Sequence, residues 1–534
     1  MKKMGYFLDP FWAHLSEMGE GGGKIKEFVW FVFYFILLWW ASKFSLQAFG
    51  EKPHTVQTLA VCIFASIFCS HKKTFCYLIL PLSVIVGLYA PIGLLYGKPS
   101  YQFVVSLFAT SLSEASEFLS QFPVECIVKG IAIPTFSVLA YLVATRSDLR
   151  PWRNKTYVFL AVAILVLCGR PTPFFDTLKT AFMQVESEND ELQKIMKKSS
   201  WRGVESKLMP RDYVLVIGES VRRDYLNIYG YSIKNTPYLS NSNKITIVDG
   251  LFSAAPYTAG SLRLMLTYPV LKDKEWEPRY DFNLVGLAKA AGFRTAWFSN
   301  QGYAGIDTPV TAIAKSADKT LFVTGGEFTS STASDFVLLP MLQSELEQEF
   351  SGSRLIVLHT IGSHSLACER IKDMPYVYVS SDDVYEELAC YVSSLRKMDK
   401  FIEKTASILD ENQIRTGRPY SILWFSDHGQ TQVLEDGKYR MRHGEKSNSN
   451  FDVPLIKIDS DAMSKKYIKS KKSGLCFACG LAGWMGIETD SFKRCDLFDG
   501  KDDPDYIFEK KTEITGENMQ KDFDLKWIRV SDFD

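Results

Sequence analysis

The sequence predicts an α-helical transmembrane domain of about five spans, followed by an α/β domain with a mostly parallel central sheet. Three observations predict it. Long apolar runs crowd the first 170 of 534 residues, the remainder alternates short apolar strands with charged, Gly-punctuated segments, and ligand-capable side chains recur at the ends of those strands. The 61 Lys+Arg balance 61 Asp+Glu, so the net charge is zero, which argues against a nucleic-acid binder. Hydrophobic residues at 46% and charged residues at 23% exclude wholesale disorder. Ten cysteines in a chain of this length do not make a disulfide scaffold.

The first domain is expected over residues 1–170. Its apolar runs are Phe28–Leu46, Val56–Cys69, Phe75–Tyr96, Val124–Ala144 and Tyr157–Cys168. A spanning helix needs about 20 residues, which the third and fourth runs exceed and the second and fifth approach only loosely. Charge asymmetry favours five spans over buried or interfacial helices. Lys24 and Lys26 precede the first run, His71-Lys72-Lys73 follows the second, and Arg146, Arg150, Arg153 and Lys155 separate the fourth from the fifth. If all five runs span, every cluster falls on one side, which the positive-inside rule makes the cytoplasm. The N-terminus is then cytoplasmic and everything after about Arg170 lies outside, with Trp39, Trp40 and Trp152 at the interfaces. Met1–Gly23 is polar and lacks a cleavable signal pattern. Between the third and fourth runs, Ser106, Thr110, Glu114 and Phe118 follow i, i+4 spacing, which predicts an amphipathic helix near 100–122 on the outer membrane surface. Residues 171–210 read as an amphipathic linker.

The second domain is expected over residues 211–534. Strands are predicted at 213–220, 294–300, 354–362 and 420–429, with helices at 284–293 and near 380–408. Ligands gather outside the carboxyl ends of such strands, and the reactive residues are found there. Glu219 closes the first strand, Asn300 the second, His359 and His364 follow the third, and Asp427-His428 ends the fourth; His443 comes fifteen residues later. Four of the chain's seven histidines belong to this set. Carboxylates and imidazoles converging on one sheet edge suit a divalent metal such as zinc or manganese. Capping of the following helices is the competing reading for Glu219 or Asn300 taken alone.

Taken together, IGESVRRDYLNIYGY (217–231), SNQG (299–302) and SDHG (426–429) resemble the alkaline-phosphatase/sulfatase superfamily, and within it the membrane-bound phosphoethanolamine transferases. The lipopolysaccharide-core branch looks most similar, related to the lipid A enzymes that confer polymyxin resistance. The resemblance covers nearly the whole chain. It implies a sulfatase-like periplasmic domain on a multi-pass bacterial inner-membrane anchor. It also implies a zinc held by Glu219, Thr258, Asp427 and His428, with room for a second. Thr258, in PYTAGSLRLML (256–266), matches the family's nucleophile, and an N-cap role is the competing reading. His364 and His443 match histidines near the transferred phosphate, Thr110 and Glu114 match lipid-headgroup contacts, and Asn300 and His359 are expected with them among the substrate-binding residues.

Departures qualify the match. Ser106 replaces an Asn of the lipid A enzymes, Gln430 stands where many carry Glu, and Ala255 and Met265 replace cysteines that bracket their nucleophile. An oxidising periplasm permits a Cys368–Cys390 bridge and one pair among Cys476, Cys479 and Cys495, while Cys476-x-x-Cys479 also fits a metal or redox motif.

The resemblance implies transfer of phosphoethanolamine from phosphatidylethanolamine to an envelope glycolipid, lipopolysaccharide core or lipid A, through a phospho-threonine intermediate. Competing readings are a phosphoglycerol transferase, a sulfatase or phosphatase of the same fold, and a catalytically dead binding domain. Ser220 and Ser261 are the alternative nucleophiles.

Overall fold

The N-terminal apolar runs become helices. The computed structural model describes residues 22–50, 53–96 and 122–169, isolated positions between 179 and 192, residues 199–504 apart from 273–274, 302–307, 324–333, 375–377, 381, 436, 443–446 and 494, and the strand at 527–530. The expected surface helix near 100–122 with Thr110 and Glu114, most of the linker helix, and His443 lie outside the described residues. The chain divides into two compact units, one helical and one from Met183 onward.

In the helical unit, α1 (Gly22–Ala48), α2 (Thr55–Cys69), α3 (Leu80–Tyr96), α4 (Val124–Arg146) and α5 (Lys155–Ile164) correspond to the five apolar runs. Phe28–Ala48, Lys72–Leu94 and Val124–Arg146 are long and apolar enough to cross a membrane. The 15 residues of α2 rise only about 22 Å, short of a hydrocarbon core of about 30 Å. Trp30, Tyr34, Leu38, Phe75, Ala140 and Ala144 bury into one cluster, and the Tyr34 hydroxyl donates to the Ser66 carbonyl at 2.7 Å. Helices α3 and α4 approach closely where Gly87 meets Gly130; a Cβ on Gly87 would stand 2.6 Å from the Gly130 oxygen. Phe31, Ile36, Leu82, Ile85, Leu88, Val128 and Ile131 point outward, an apolar surface suited to lipid. His71 packs edge-on against Trp152 at 5.1 Å, so the basic segments after α2 and before α5 share one end of the bundle.

The second unit is built on an eight-stranded sheet. Its labelled elements are β1 (Asp212–Gly218), β2 (Ile245–Phe252), α6 (Thr258–Met265), α7 (Leu284–Ala290), β3 (Arg294–Ser299), β4 (Lys319–Phe322), β5 (Arg354–His359), α8 (Glu386–Thr416), β6 (Tyr420–Ser426), β7 (Asp452–Asp459), β8 (Lys466–Ser473) and α9 (Phe477–Trp484). The strand order is β8-β2-β7-β6-β1-β5-β3-β4. Every pairing is parallel except the two made by β7, which runs against both β6 and β2. Strand β1 explains why the sheet is central. Tyr213, Leu215 and Ile217 enter one core with residues of α6, α7 and α9, while Val214 and Val216 enter a second with Tyr391, Leu395 and Phe401 of α8. Covered on both faces, its strands read as continuous apolar runs. Helix α8 opens with Glu386 and Glu387 and stops at Gly417, whose φ of 72° suits glycine.

Register brings the strand ends level: Gly218 pairs with Ser426, and His359 pairs with both Ile217 and Ser299. Because β2 is parallel to these strands, the chain leaves it toward Thr258 at the same edge. Cys368–Cys390 ties the segment after β5 to α8, and Cys479–Cys495 fastens α9 to the following loop. Cys476 is an unpaired thiol, so the reading of Cys476-x-x-Cys479 as a redox or metal pair is corrected: Cys479 is committed to Cys495.

Candidate metal centre

Four residues from three distant segments meet at the carboxyl edge. Glu219 is the first residue beyond β1, Asp427 and His428 the first two beyond β6, and Thr258 opens α6. Glu219 and Asp427 are completely buried and His428 is 1% exposed. Their ligand atoms lie within 4.8 Å of one another, among the described residues the one such group of His, Cys, Asp and Glu. The Thr258 hydroxyl lies 3.0 Å from Glu219 Oε2 and 3.2 Å from His428 Nε2. His428 Nε2 is also 3.2 Å from Glu219 Oε1 and 3.4 Å from Asp427 Oδ2.

The N-cap reading of Thr258 is corrected. The cap position of α6 belongs to Tyr257, which makes no side-chain capping bond, and Thr258 is the first helical residue. Its hydroxyl is directed to the carboxylate and imidazole instead. The alternative nucleophiles are also accounted for. Ser261 is fully buried and donates to the Asp427 carbonyl at 2.6 Å, and Ser220 is fully buried and donates to Glu219 Oε1 at 2.7 Å.

The arrangement fits a cation. His428 Nδ1 donates to the Gly429 carbonyl at 2.7 Å, which fixes the ring and presents Nε2 to the cluster. Asp427 Oδ1 accepts from the amides of Ser220 and His428, at 3.1 and 2.7 Å, while its Oδ2 is buried with no hydrogen-bond partner among the described residues. A buried carboxylate oxygen left without a donor is costly unless a cation fills the place. The electrostatics agree. Burial and the neighbouring Glu219 charge push Asp427 up to about 8. Burial alone would lower His428, but Asp427 and Glu219 raise it to about 9. Glu219 is buried too, yet the charges of His428 and His364 hold it well below the usual carboxylate range. Two carboxylates and an imidazole thus share protons where a divalent ion would displace them.

The surrounding loops press on this cluster. Gly362 has φ of 49°, and a Cβ there would lie 2.9 Å from the Glu219 nitrogen, so glycine alone fits. Ser363 donates its amide to the Glu219 carbonyl at 3.0 Å. His364, half-buried, is held at about 4 by desolvation against the pull of Glu219. His359 is buried behind the edge; its Nδ1 lies 3.3 Å from the Ser299 hydroxyl, it stacks edge-on against Trp297, and desolvation lowers it to about 4. Asn300 is turned elsewhere: its Nδ2 donates to Asp335 Oδ1 at 2.8 Å. Asp335, which the sequence did not single out, also accepts the amides of Ile361 and Gly362 at 2.8 and 3.0 Å and so shapes the loop that carries His364. Gln301, the third residue of the SNQG motif, donates to Glu219 Oε2 at 2.8 Å and to the Thr360 carbonyl at 3.0 Å. The motif therefore touches the cluster through Gln301. Gln430 is fully buried, and neither amide atom has a partner among the described residues.

The chain resembles known proteins over most of its length. The Sulfatase family model matches residues 211–487. A putative phosphoethanolamine transferase of Haemophilus influenzae is 40% identical over 393 residues, 71% of this chain and 80% of the relative. The phosphoethanolamine transferase OpgE of Escherichia coli is 31% identical over 430 residues, 76% of this chain and 79% of that one. Among solved structures, the integral membrane lipooligosaccharide phosphoethanolamine transferase A of Neisseria meningitidis covers 86% of this chain and 97% of its own, with a TM-score of 0.59 at 16% identity, which shows a shared fold.

Proposed function

We propose, for a chain that belongs to the membrane-bound phosphoethanolamine transferases of the alkaline-phosphatase/sulfatase superfamily, that Thr258 is its covalent nucleophile, phosphatidylethanolamine its donor and an envelope glycolipid its acceptor. The observation that carries this reading is the Thr258 hydroxyl, directed at Glu219 and His428 instead of capping its own helix. Glu219, Asp427, His428 and Thr258 would hold a zinc ion. When bound, zinc would acidify the hydroxyl it touches and offset charge on phosphoryl oxygens.

The protein's own residues do the rest. Glu219 Oε2 stands within reach of the Thr258 proton, so the oxygen can be freed for attack on the donor phosphorus. The phosphorus–oxygen bond to diacylglycerol breaks as the bond to Thr258 forms, and His443, or His364 once the bound phosphate anion raises its proton affinity, protonates the departing oxygen. The amides at the start of α6, where the cap residue makes no side-chain capping bond, favour the phosphorylated side chain at its first position. A hydroxyl or phosphate of lipopolysaccharide core or lipid A then takes the phosphoethanolamine and restores Thr258. Helices that confine the enzyme to a bilayer suit a lipid donor and a lipid-anchored acceptor. The reading puts the enzyme in the bacterial inner membrane, N-terminus cytoplasmic and catalytic unit periplasmic; the shared end of two basic segments supports it. Thr110 and Glu114 would meet the donor headgroup. A phosphoglycerol transferase would use the same threonine with another lipid.

Full-length protein incubated with mixed phosphatidylethanolamine and phosphatidylglycerol separates these readings. Diacylglycerol released from phosphatidylethanolamine alone is expected; release from phosphatidylglycerol alone would overturn the donor assignment. Mass spectrometry of envelope glycolipids with and without the chain names the acceptor. A periplasm-specific reporter should be active when fused after Arg170 and silent within 146–155, and equal activity at both would remove the five-span topology.

A further inference from the structure

Ser220 is one of three non-glycine residues with positive φ among the described residues, at 62°, and it follows Glu219 directly. A side chain adopts that left-handed region at a steric cost, which is why glycine or asparagine usually occupies it. Such an outlier at a functional edge invites the question of what it secures. Each polar group of Ser220 is committed. Its amide donates to Asp427 Oδ1 at 3.1 Å, its hydroxyl to Glu219 Oε1 at 2.7 Å, and its carbonyl accepts from the Tyr391 hydroxyl at 2.9 Å. Tyr391 in turn accepts the Arg222 amide at 2.9 Å, so the turn is anchored to α8 on its far side. The left-handed backbone sends amide and hydroxyl to the same side, and one residue thereby touches both carboxylates. Glycine would satisfy the backbone but supply no hydroxyl.

We infer that Ser220 is a positioning residue for the metal centre, orienting Glu219 and Asp427 together. By occupying Glu219 Oε1 and Asp427 Oδ1, it leaves Glu219 Oε2 beside the Thr258 hydroxyl and Asp427 Oδ2 without a hydrogen-bond partner among the described residues. The inference rests on the reading of this cluster as a zinc site.

Zinc affinity of the full-length, detergent-solubilised protein, measured by competition with a fluorescent chelator, tests it alongside turnover and metal-free melting temperature. Ser220→Ala and Ser220→Gly should each weaken zinc binding by about 10- to 100-fold and lower kcat, with KM for the donor lipid unchanged, because removing a ligand's supporting hydrogen bond has effects of that size. The Gly variant, relieved of the left-handed side chain, should melt at or above the wild-type temperature without metal. Zinc affinity within about twofold of wild type in both variants, whatever their melting temperatures, would overturn the inference. Failure of both variants to fold would make Ser220 a folding determinant and overturn it equally. Asp427→Ala serves as the control. If wild type takes no zinc or Asp427→Ala retains it, the zinc reading fails; if only the Ser220 variants keep their affinity, the positioning inference alone falls.

Discussion

A buried carboxylate opens strand β1 and another follows its last residue, and the two ends are opposites. At its start, completely buried Asp212 receives Arg354 at 2.9 Å, Arg418 at 2.8 Å and Asn412 at 3.1 Å. Seven residues on, Glu219 shares the His428 imidazole with a second carboxylate, and Asp427 Oδ2 has no hydrogen-bond partner among the described residues. The first end is electrostatically closed and serves the fold. The second is held by backbone amides and serine hydroxyls in a geometry that its own charges resist, which is how a cluster that fits a cation differs from a structural ion pair.

That contrast can be broken by mutation, and the largest effect is on rate. Thr258→Ala should leave a folded protein whose transfer rate has fallen by many powers of ten, since each ~1.4 kcal/mol of barrier is tenfold. Thr258→Ser should retain part of the activity. Residual transfer by the Ala variant near the wild-type rate would move the chemistry away from α6.

Removing one carboxylate from each end comes next. Asp212→Ala takes the carboxylate from buried Arg354 and half-buried Arg418 and should destabilise the protein by about 3–5 kcal/mol in denaturant unfolding. Asp427→Ala relieves repulsion with Glu219, so the metal-free protein should be no less stable than wild type, while its bound zinc and transfer activity disappear. Equal destabilisation at both ends, with zinc retained by Asp427→Ala, would erase the distinction.

A smaller effect is pH-dependent. Desolvation depresses His359 to about 4 from an ordinary value of 6.5, so the folded protein holds this ring neutral while the unfolded chain can charge it. The stability this contributes is present above about pH 6.5 and is lost progressively as pH falls toward 4, roughly 3 kcal/mol in all. His359→Gln should flatten the stability profile across that window, and an unchanged slope would show that other groups govern acid lability.

The two edges also explain what could be read from sequence. The strands β1, β3, β5 and β6 are visible because burial on both faces makes them unbroken apolar runs, and a polar residue ends or follows each one: Glu219, Ser299, His359 and Ser426. Strand β8 was not legible: its KYIKSKKS sequence lies at the sheet's edge with four exposed positions, so its lysines hide the pattern. Nor did any local signal mark β7 as the strand that reverses direction. Within the site, Glu219, Asp427 and His428 stood at strand ends, whereas Asp335 is distant from every motif and acts only through the fold. Thr258 before a helical run looked like a cap; only the position of Tyr257 reveals that the helix starts one residue earlier than a capping threonine would require. The cysteines followed the same rule, since Cys479 and Cys495 are brought together by the packing of the loop after α9.

The most direct test is a search for the covalent intermediate. Full-length protein should be incubated with phosphatidylethanolamine without acceptor, denatured, digested and sequenced by mass spectrometry. A single phosphoethanolamine group on the peptide containing Thr258, absent from Thr258→Ala and discharged when acceptor glycolipid is added first, is the predicted result. Wild-type protein that releases diacylglycerol with Thr258 unmodified, or that carries the group on another residue, would contradict it.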